Sequence, residues 1–173
     1  MANTSNKADC NKSDQEKSGA AARSALELLK EDHGQVESFF EEYEQLEDAG
    51  QKEPLALKIC MALEVHAQIE EEIFYPAVRQ AIGKTELIDE ALVEHAAAKQ
   101  LIAEIEEMDA GDELYDAKVK VLGEQVRHHI EEEEDELFPE VEGSELDLEA
   151  LGKKMAERKA ALLQQAADES ASP

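Results

Sequence analysis

Hydrophobic residues recur at alternating steps of three and four along most of the chain, a period that predicts amphipathic helices rather than strands. The first segment runs from about Ala21 to Ala49, with Leu26, Leu29, His33, Val36, Phe40 and Tyr43 on one face and Gly50 as its stop. The second opens with Pro54 in its first turn, turns Leu55, Ile59, Ala62, His66, Ile69, Ile73 and Ala77 inward, and ends at Gly83. Pro76 is expected to kink it, since proline removes a helical N–H and crowds the preceding turn. The third starts near Thr85, buries Ile88, Leu92, His95, Ile102 and Ile105, and stops at the Asp109–Asp112 turn, while the fourth places Val119, Leu122, Val126, His129 and Leu137 inward. Ser144 to Asp147 reads as a capping box for a fifth, weaker stripe of Leu146, Leu148, Leu151, Met155, Leu162 and Leu163 that ends near Ala167 and packs outside the others.

Helices of similar length joined by short connections predict an all-α, up-down-up-down four-helix bundle with an additional C-terminal helix. Residues 1–20 are polar and aperiodic and read as a disordered arm; 21–140 form the bundle, 141–167 the appended helix and 168–173 a frayed tail. A length of 173 residues, with 42% hydrophobic residues and no Trp, suits one domain rich in helix formers.

Charge narrows the partners. Forty-three acidic against seventeen basic side chains leave a formal charge of -26, which repels phosphate backbones and anionic membranes, so neither nucleic acid nor a membrane is expected as a partner. Cys10 and Cys60 are too few for a disulfide framework, and no apolar run is long enough for a signal peptide or a span. Reduced thiols and a cytoplasmic protein are the expectation.

The candidate chemistry lies in a repeat. His66 to Pro76 (HAQIEEEIFYP) and His129 to Pro139 (HIEEEEDELFP) share one pattern, and His33 and His95 precede the two copies by 33 and 34 residues. Positions i and i+4 of a helix share a face about 6 Å apart, so His66 with Glu70, and His129 with Glu133, reach one small volume. Imidazole and carboxylate together suit first-row transition metals, and a carboxylate can bridge two ions. One histidine on an apolar stripe is ordinary core; four at one level beside two inward carboxylates are not, because an unpaired buried carboxylate costs several kcal/mol.

Most of the acidic run Glu131–Glu136 must face solvent, and only Glu133 keeps register with His129. Glu71, Glu72 and Glu134 are expected outward, and His128 at the surface or beside the site. Glu37 and Lys99 occupy matching places four residues beyond His33 and His95; they are expected to splay into solvent, with a gate over the site as the alternative.

Asp32-His33, His66-x-x-x-Glu70 with Phe-Tyr-Pro, Glu94-His95, and His129-x-x-x-Glu133 with Leu-Phe-Pro resemble the hemerythrin HHE cation-binding domain family over roughly residues 24 to 140. The resemblance implies a hemerythrin-like bundle around two iron ions bridged by two carboxylates and an oxo or hydroxo group, with metal roles for His33, His66, Glu70, His95, His129 and Glu133. It implies as ligand a small molecule such as dioxygen, peroxide or nitric oxide, with electrons from an outside donor. If the protein is an enzyme, the implied type is a peroxidase or catalase, or an oxidoreductase handling nitric oxide. The alternative from another class is iron handling: sensing, storage or donation, including iron–sulfur cluster repair. Oxygen-carrying hemerythrins have a second histidine one turn from the first on the third helix, whereas here Ala91 and Lys99 flank His95. With that ligand missing, the set of four His and two Glu is similar to the di-iron domain of bacterial iron–sulfur cluster repair proteins, whose separate cysteine domain this chain does not show. Each ion would then keep an open position, facing a narrow core expected to be lined by Val36, Ile69, Ile73, Leu92, Ile102 and Val126.

Overall fold

The computed structural model describes residues 23–83 and 86–170. The expected arm, the start of the third helix at Thr85 and the last residues of the tail fall outside that range. Helix α1 (Ala25–Gln45) begins with a capping box: the Ser24 hydroxyl accepts the Glu27 N–H at 3.2 Å, and the Glu27 carboxylate accepts the Ser24 N–H at 2.8 Å. It ends before Gly50 because Leu46 is already extended. Helix α2 (Ala49–Ile69) therefore starts a turn earlier than Pro54 suggests, and Pro54 sits within it.

A π-helical turn (Glu70–Phe74) joins α2 to α3 (Tyr75–Ile82), which closes on Gly83 at φ 66°, a left-handed conformation that favours glycine. Helix α4 (Glu86–Glu106) returns, and α5 (Tyr115–Glu132) passes through a second π-helical turn (Glu133–Leu137) into the short α6 (Phe138–Glu142). Helix α7 (Leu148–Ser170) follows. Its N-cap is Asp147, whose carboxylate accepts the Ala150 N–H at 2.9 Å; the Ser144 hydroxyl instead donates to the Val141 carbonyl at 2.7 Å and closes α6. The expected capping box is thus corrected by three residues.

The architecture is all-α: four rods with α1 beside α2 and α5, and α4 beside α2 and α5, plus the added C-terminal helix lying on α1 and α2. Among the described residues no helix is long and apolar enough to cross a membrane. Two apolar clusters fill the bundle. One gathers Leu26, Leu29, Ile69, Phe74, Val78, Ile88, Leu137 and Phe138 with Leu151, Met155 and Leu162 of α7; the other gathers Val36, Phe40, Ile59, Leu63, Ile102, Leu122 and Val126. The histidine-bearing layer is sandwiched between them. Leu92 departs from expectation at 36% exposed, its inward place being taken by Ala91; Leu163 is likewise exposed.

Helix α7 docks by backbone proximity and by charge. Gly152 is buried, and a Cβ there would stand 2.6 Å from the Ser24 carbonyl carbon and 2.7 Å from the Ala25 nitrogen. Arg158 forks onto Glu72 at 2.6 and 2.9 Å, and Lys159 donates to Asp32. Glu72 is exposed as expected, yet it is the anchor for α7. Alanine at an ordinary exposed helical glycine gains about 1 kcal/mol. Gly152→Ala should instead cost about 1–3 kcal/mol by overpacking, lowering the thermal midpoint read by circular dichroism by several degrees; a raised midpoint would show that the two backbones do not touch. Burial, with Glu106 and Glu64 nearby, pushes the Cys60 thiol up to about 12. In a Cys10→Ser variant, Cys60 should resist Ellman's reagent at pH 8 until the protein is unfolded.

Candidate metal centre

The two π-helical turns decide which side chains meet. At roughly 100° per residue, Tyr75 on a regular helix would lie about 180° from His66, facing away from the site. The wider turn, in which the Tyr75 N–H reaches back to the Glu70 carbonyl, retards the residues after it by about one residue's step and swings Tyr75 inward. The Phe138 N–H reaches the Glu133 carbonyl in the same way, so Phe138 is placed like Tyr75. The helix is rewound just ahead of each motif proline, Pro76 and Pro139.

The six expected residues converge. The His33 and His66 Nε2 atoms are 3.2 Å apart, as are those of His95 and His129. Each pair thus joins two neighbouring helices. Glu70 sets Oε2 between the pairs, 3.2 Å from His66 Nε2 and 3.4 Å from His95 Nε2, while Glu133 Oε2 lies 3.4 Å from His33 Nε2 and 3.7 Å from His129 Nε2. These donors form two groups able to hold cations, His33/His66/Glu70/Glu133 and Glu70/His95/His129. Adjacent ligands around an ion at about 2.1 Å stand about 3 Å apart, which is close to the separations seen here.

Every imidazole is also faced from behind by a carboxylate. His33 Nδ1 meets Glu134 at 2.7 Å, His95 Nδ1 meets Glu71 at 3.0 Å, His129 Nδ1 meets Glu94 at 2.8 Å, and His66 Nδ1 lies 3.5 Å from Asp32. The three hydrogen bonds fix the ring tautomers of His33, His95 and His129 and leave their Nε2 atoms free to bind, whereas Asp32 faces His66 Nδ1 as a charge without a hydrogen bond. Glu71 and Glu134, expected outward, are therefore corrected: each opens its π-helical turn beside a bridging glutamate and reaches a histidine of the other half. Their role was hidden because the histidine each reaches lies in the other half, outside any local helical period. Lys99 is exposed as expected, and there it donates to both oxygens of Glu71 at 2.7 Å. His128 is 62% exposed, 3.4 Å from Glu132.

Chemistry tests the fit to a cation. Glu70 is fully buried and neither of its oxygens has a hydrogen-bond partner; Glu133 Oε2 is also unpartnered. Burial raises the cost of the Glu70 charge, but the imidazole of His66 outweighs it and holds the carboxyl well below its usual range. Burial likewise opposes protonation of His66, while Glu70 and Asp32 overcome it and raise its pKa to about 10. Protons thus take the place a cation would fill, and a divalent or trivalent ion would satisfy the orphaned oxygens more completely.

A cavity of about 40 Å³ adjoins all four imidazoles. Val36, Leu63, Ala98, Ile102 and Val126 make it apolar, with Gln125 and Lys99 at its polar margins. Of the residues expected to line it, Val36, Ile102 and Val126 do so; Ile69 belongs to the apolar cluster on the other side of the site, Ile73 packs against that cluster, and Leu92 is exposed. The volume admits a ligand of two or three atoms and excludes a large substrate.

Removing the carboxylate behind an imidazole typically weakens metal binding 10–100-fold. Glu94→Ala and Glu71→Ala should each do so in a competitive chelator titration while the helical circular dichroism is kept; unchanged affinity would assign these carboxylates to surface solvation.

Residues 24–141 match the hemerythrin HHE cation binding domain family. A solved structure of a hemerythrin HHE cation binding domain-containing protein from Mycobacterium kansasii superposes with a TM-score of 0.72 at 25% identity, covering 83% of this chain and 90% of that one. A DNA nickase from Nostoc sp. is 29% identical over 112 residues, 65% of this chain, which spans only 32% of that protein's length. The bundle, its His/Glu centre and the match across most of the sequence agree: the chain belongs to the hemerythrin HHE cation-binding domain family.

Proposed function

We propose that this is a di-iron protein whose bundle core binds, and reacts with, a small ligand of the class of dioxygen, peroxide or nitric oxide. The observation that carries the reading is Glu70, a fully buried carboxylate without a hydrogen bond, set between two imidazole pairs that themselves line an apolar cavity of about 40 Å³. His33, His66, Glu70 and Glu133 would hold one ion; His95 and His129, with Glu70 and Glu133 shared, would hold the other. Bound iron, with a bridging oxo or hydroxo group, would supply redox chemistry and open coordination positions.

The chain's own residues account for the rest. Asp32, Glu71, Glu94 and Glu134 orient the imidazoles, and the two apolar clusters keep bulk water from the layer between them. Val36, Leu63, Ile102 and Val126 leave room for a ligand of two or three atoms. The hydrogen bonds behind His33, His95 and His129 favour retained iron over iron in transit. Nucleic-acid cleavage is not part of the reading, because the match to the nickase covers about a third of that protein and a charge of -26 repels phosphate.

Protein made in iron-sufficient cells should carry two irons per chain by mass spectrometry, with an oxo-bridge absorption that bleaches under dithionite. Zinc alone, or a folded metal-free protein that refuses anaerobic ferrous iron, would defeat the proposal. Because metal binding and folding are linked, Glu133→Ala should lower iron content and thermal midpoint together. Wild-type values for both would remove Glu133 from the site.

A further inference from the structure

Apart from the imidazoles, the polar side chains around the cavity are paired with one exception. Lys99 donates to Glu71, Glu94 accepts from His129, and Asp32 accepts from Lys159. Gln125 lines the same cavity from α5, one turn before His129; it is half-buried, and its Oε1 is buried without a hydrogen-bond partner. A buried carboxamide end left unpaired costs stability that a leucine of similar size would not. The matching place in the first repeat, four residues before His66, holds Ala62, which has nothing to pair. An apolar side chain thus suffices on one side of the repeat, and an amide stands on the other.

We propose that the Gln125 carboxamide is the hydrogen-bonding contact for the small ligand in the cavity, positioning it beside the four imidazoles. The proposal rests on the small-ligand reading of the di-iron centre. Rotation about the Cγ–Cδ bond exchanges the amide oxygen and nitrogen with little change of shape, so one buried place can accept or donate. Dioxygen and nitric oxide only accept and take an N–H; a peroxide, which carries both donor and acceptor, takes either. Val36, Leu63, Ala98, Ile102 and Val126 offer no such contact. Gln125 therefore favours ligands that present an oxygen over apolar molecules of the same size.

Infrared spectroscopy of nitric oxide bound to the iron-loaded full chain reads this contact without turnover. The N–O stretch of the wild type should shift between H2O and D2O, because the amide protons exchange. Gln125→Leu and Gln125→Met, each near glutamine in size but without a donor, should keep both irons and lose that isotope shift. They should also release nitric oxide about 2–12-fold faster, the range set by one neutral hydrogen bond. An unchanged isotope shift and release rate in either iron-loaded variant would overturn the proposal and leave the amide paired with an ordered water. If neither variant loads iron, the wild type decides: a stretch that shifts in D2O supports the contact, and one that does not removes it. A wild type without iron would instead defeat the di-iron reading, and one with two irons that takes up no nitric oxide, azide or peroxide would defeat the small-ligand reading, this assignment falling with either.

Discussion

Glu70, a carboxylate at 0% exposure with no hydrogen bond, is the constraint on which the rest of the structure turns. Burial of such a charge costs several kcal/mol even after relaxation, so something of opposite charge must sit beside it. The fold supplies four imidazoles, and either protons on them or a cation among them can balance Glu70 and Glu133. Apolar clusters above and below sharpen the demand, because a low dielectric strengthens every attraction in the layer and penalises every unmet one. Carboxylates behind the rings serve the same end, since imidazoles tied at Nδ1 present Nε2 to one shared volume.

The repeated sequence explains how a single chain meets this demand twice. Exchange of the halves carries the His33–His66 contact into His95–His129, Glu134 behind His33 into Glu71 behind His95, and Asp32 behind His66 into Glu94 behind His129. Neither half is complete, because each glutamate reaches an imidazole of the opposite pair. An isolated half would bury charges it could not balance. This interdependence ties the docking of the two helix pairs to the chemistry of the layer between them.

Much of this was legible in residues alone, for a physical reason: helical period and the i,i+4 geometry of His66 with Glu70 and His129 with Glu133 are local properties. The fold and the convergence of six polar side chains follow from them. What escaped was non-local or depended on broken periodicity. The π-helical turns change register and swing Tyr75 inward, and Glu71 and Glu134 reach histidines of the other half. Leu92 and Ala91 compete for one inward place, and the smaller residue takes it. Asp147 rather than Ser144 caps α7 because the helix begins only at Leu148, and the Ser144 oxygen accepts the Leu146 N–H in the connection before it. The seat of α7 depends on Gly152 meeting a backbone far away in sequence, which no stripe of leucines reveals.

Departures from the repeat matter as much as the repeat. Tyr75 stands where its counterpart is Phe138, and Lys99, which neutralises Glu71 behind His95, stands where its counterpart is Glu37. Glu37 cannot form the matching ion pair with Glu134, since both are acidic. Helix α7 adds a third difference by placing Lys159 on Asp32, behind His66, while Glu94 behind His129 is approached at 3.9 Å by the exposed His128. A symmetric frame thus carries unequal surroundings: the charge behind each imidazole, and so its strength as a donor, differs between the pairs. The cavity beside all four rings therefore borders two different halves.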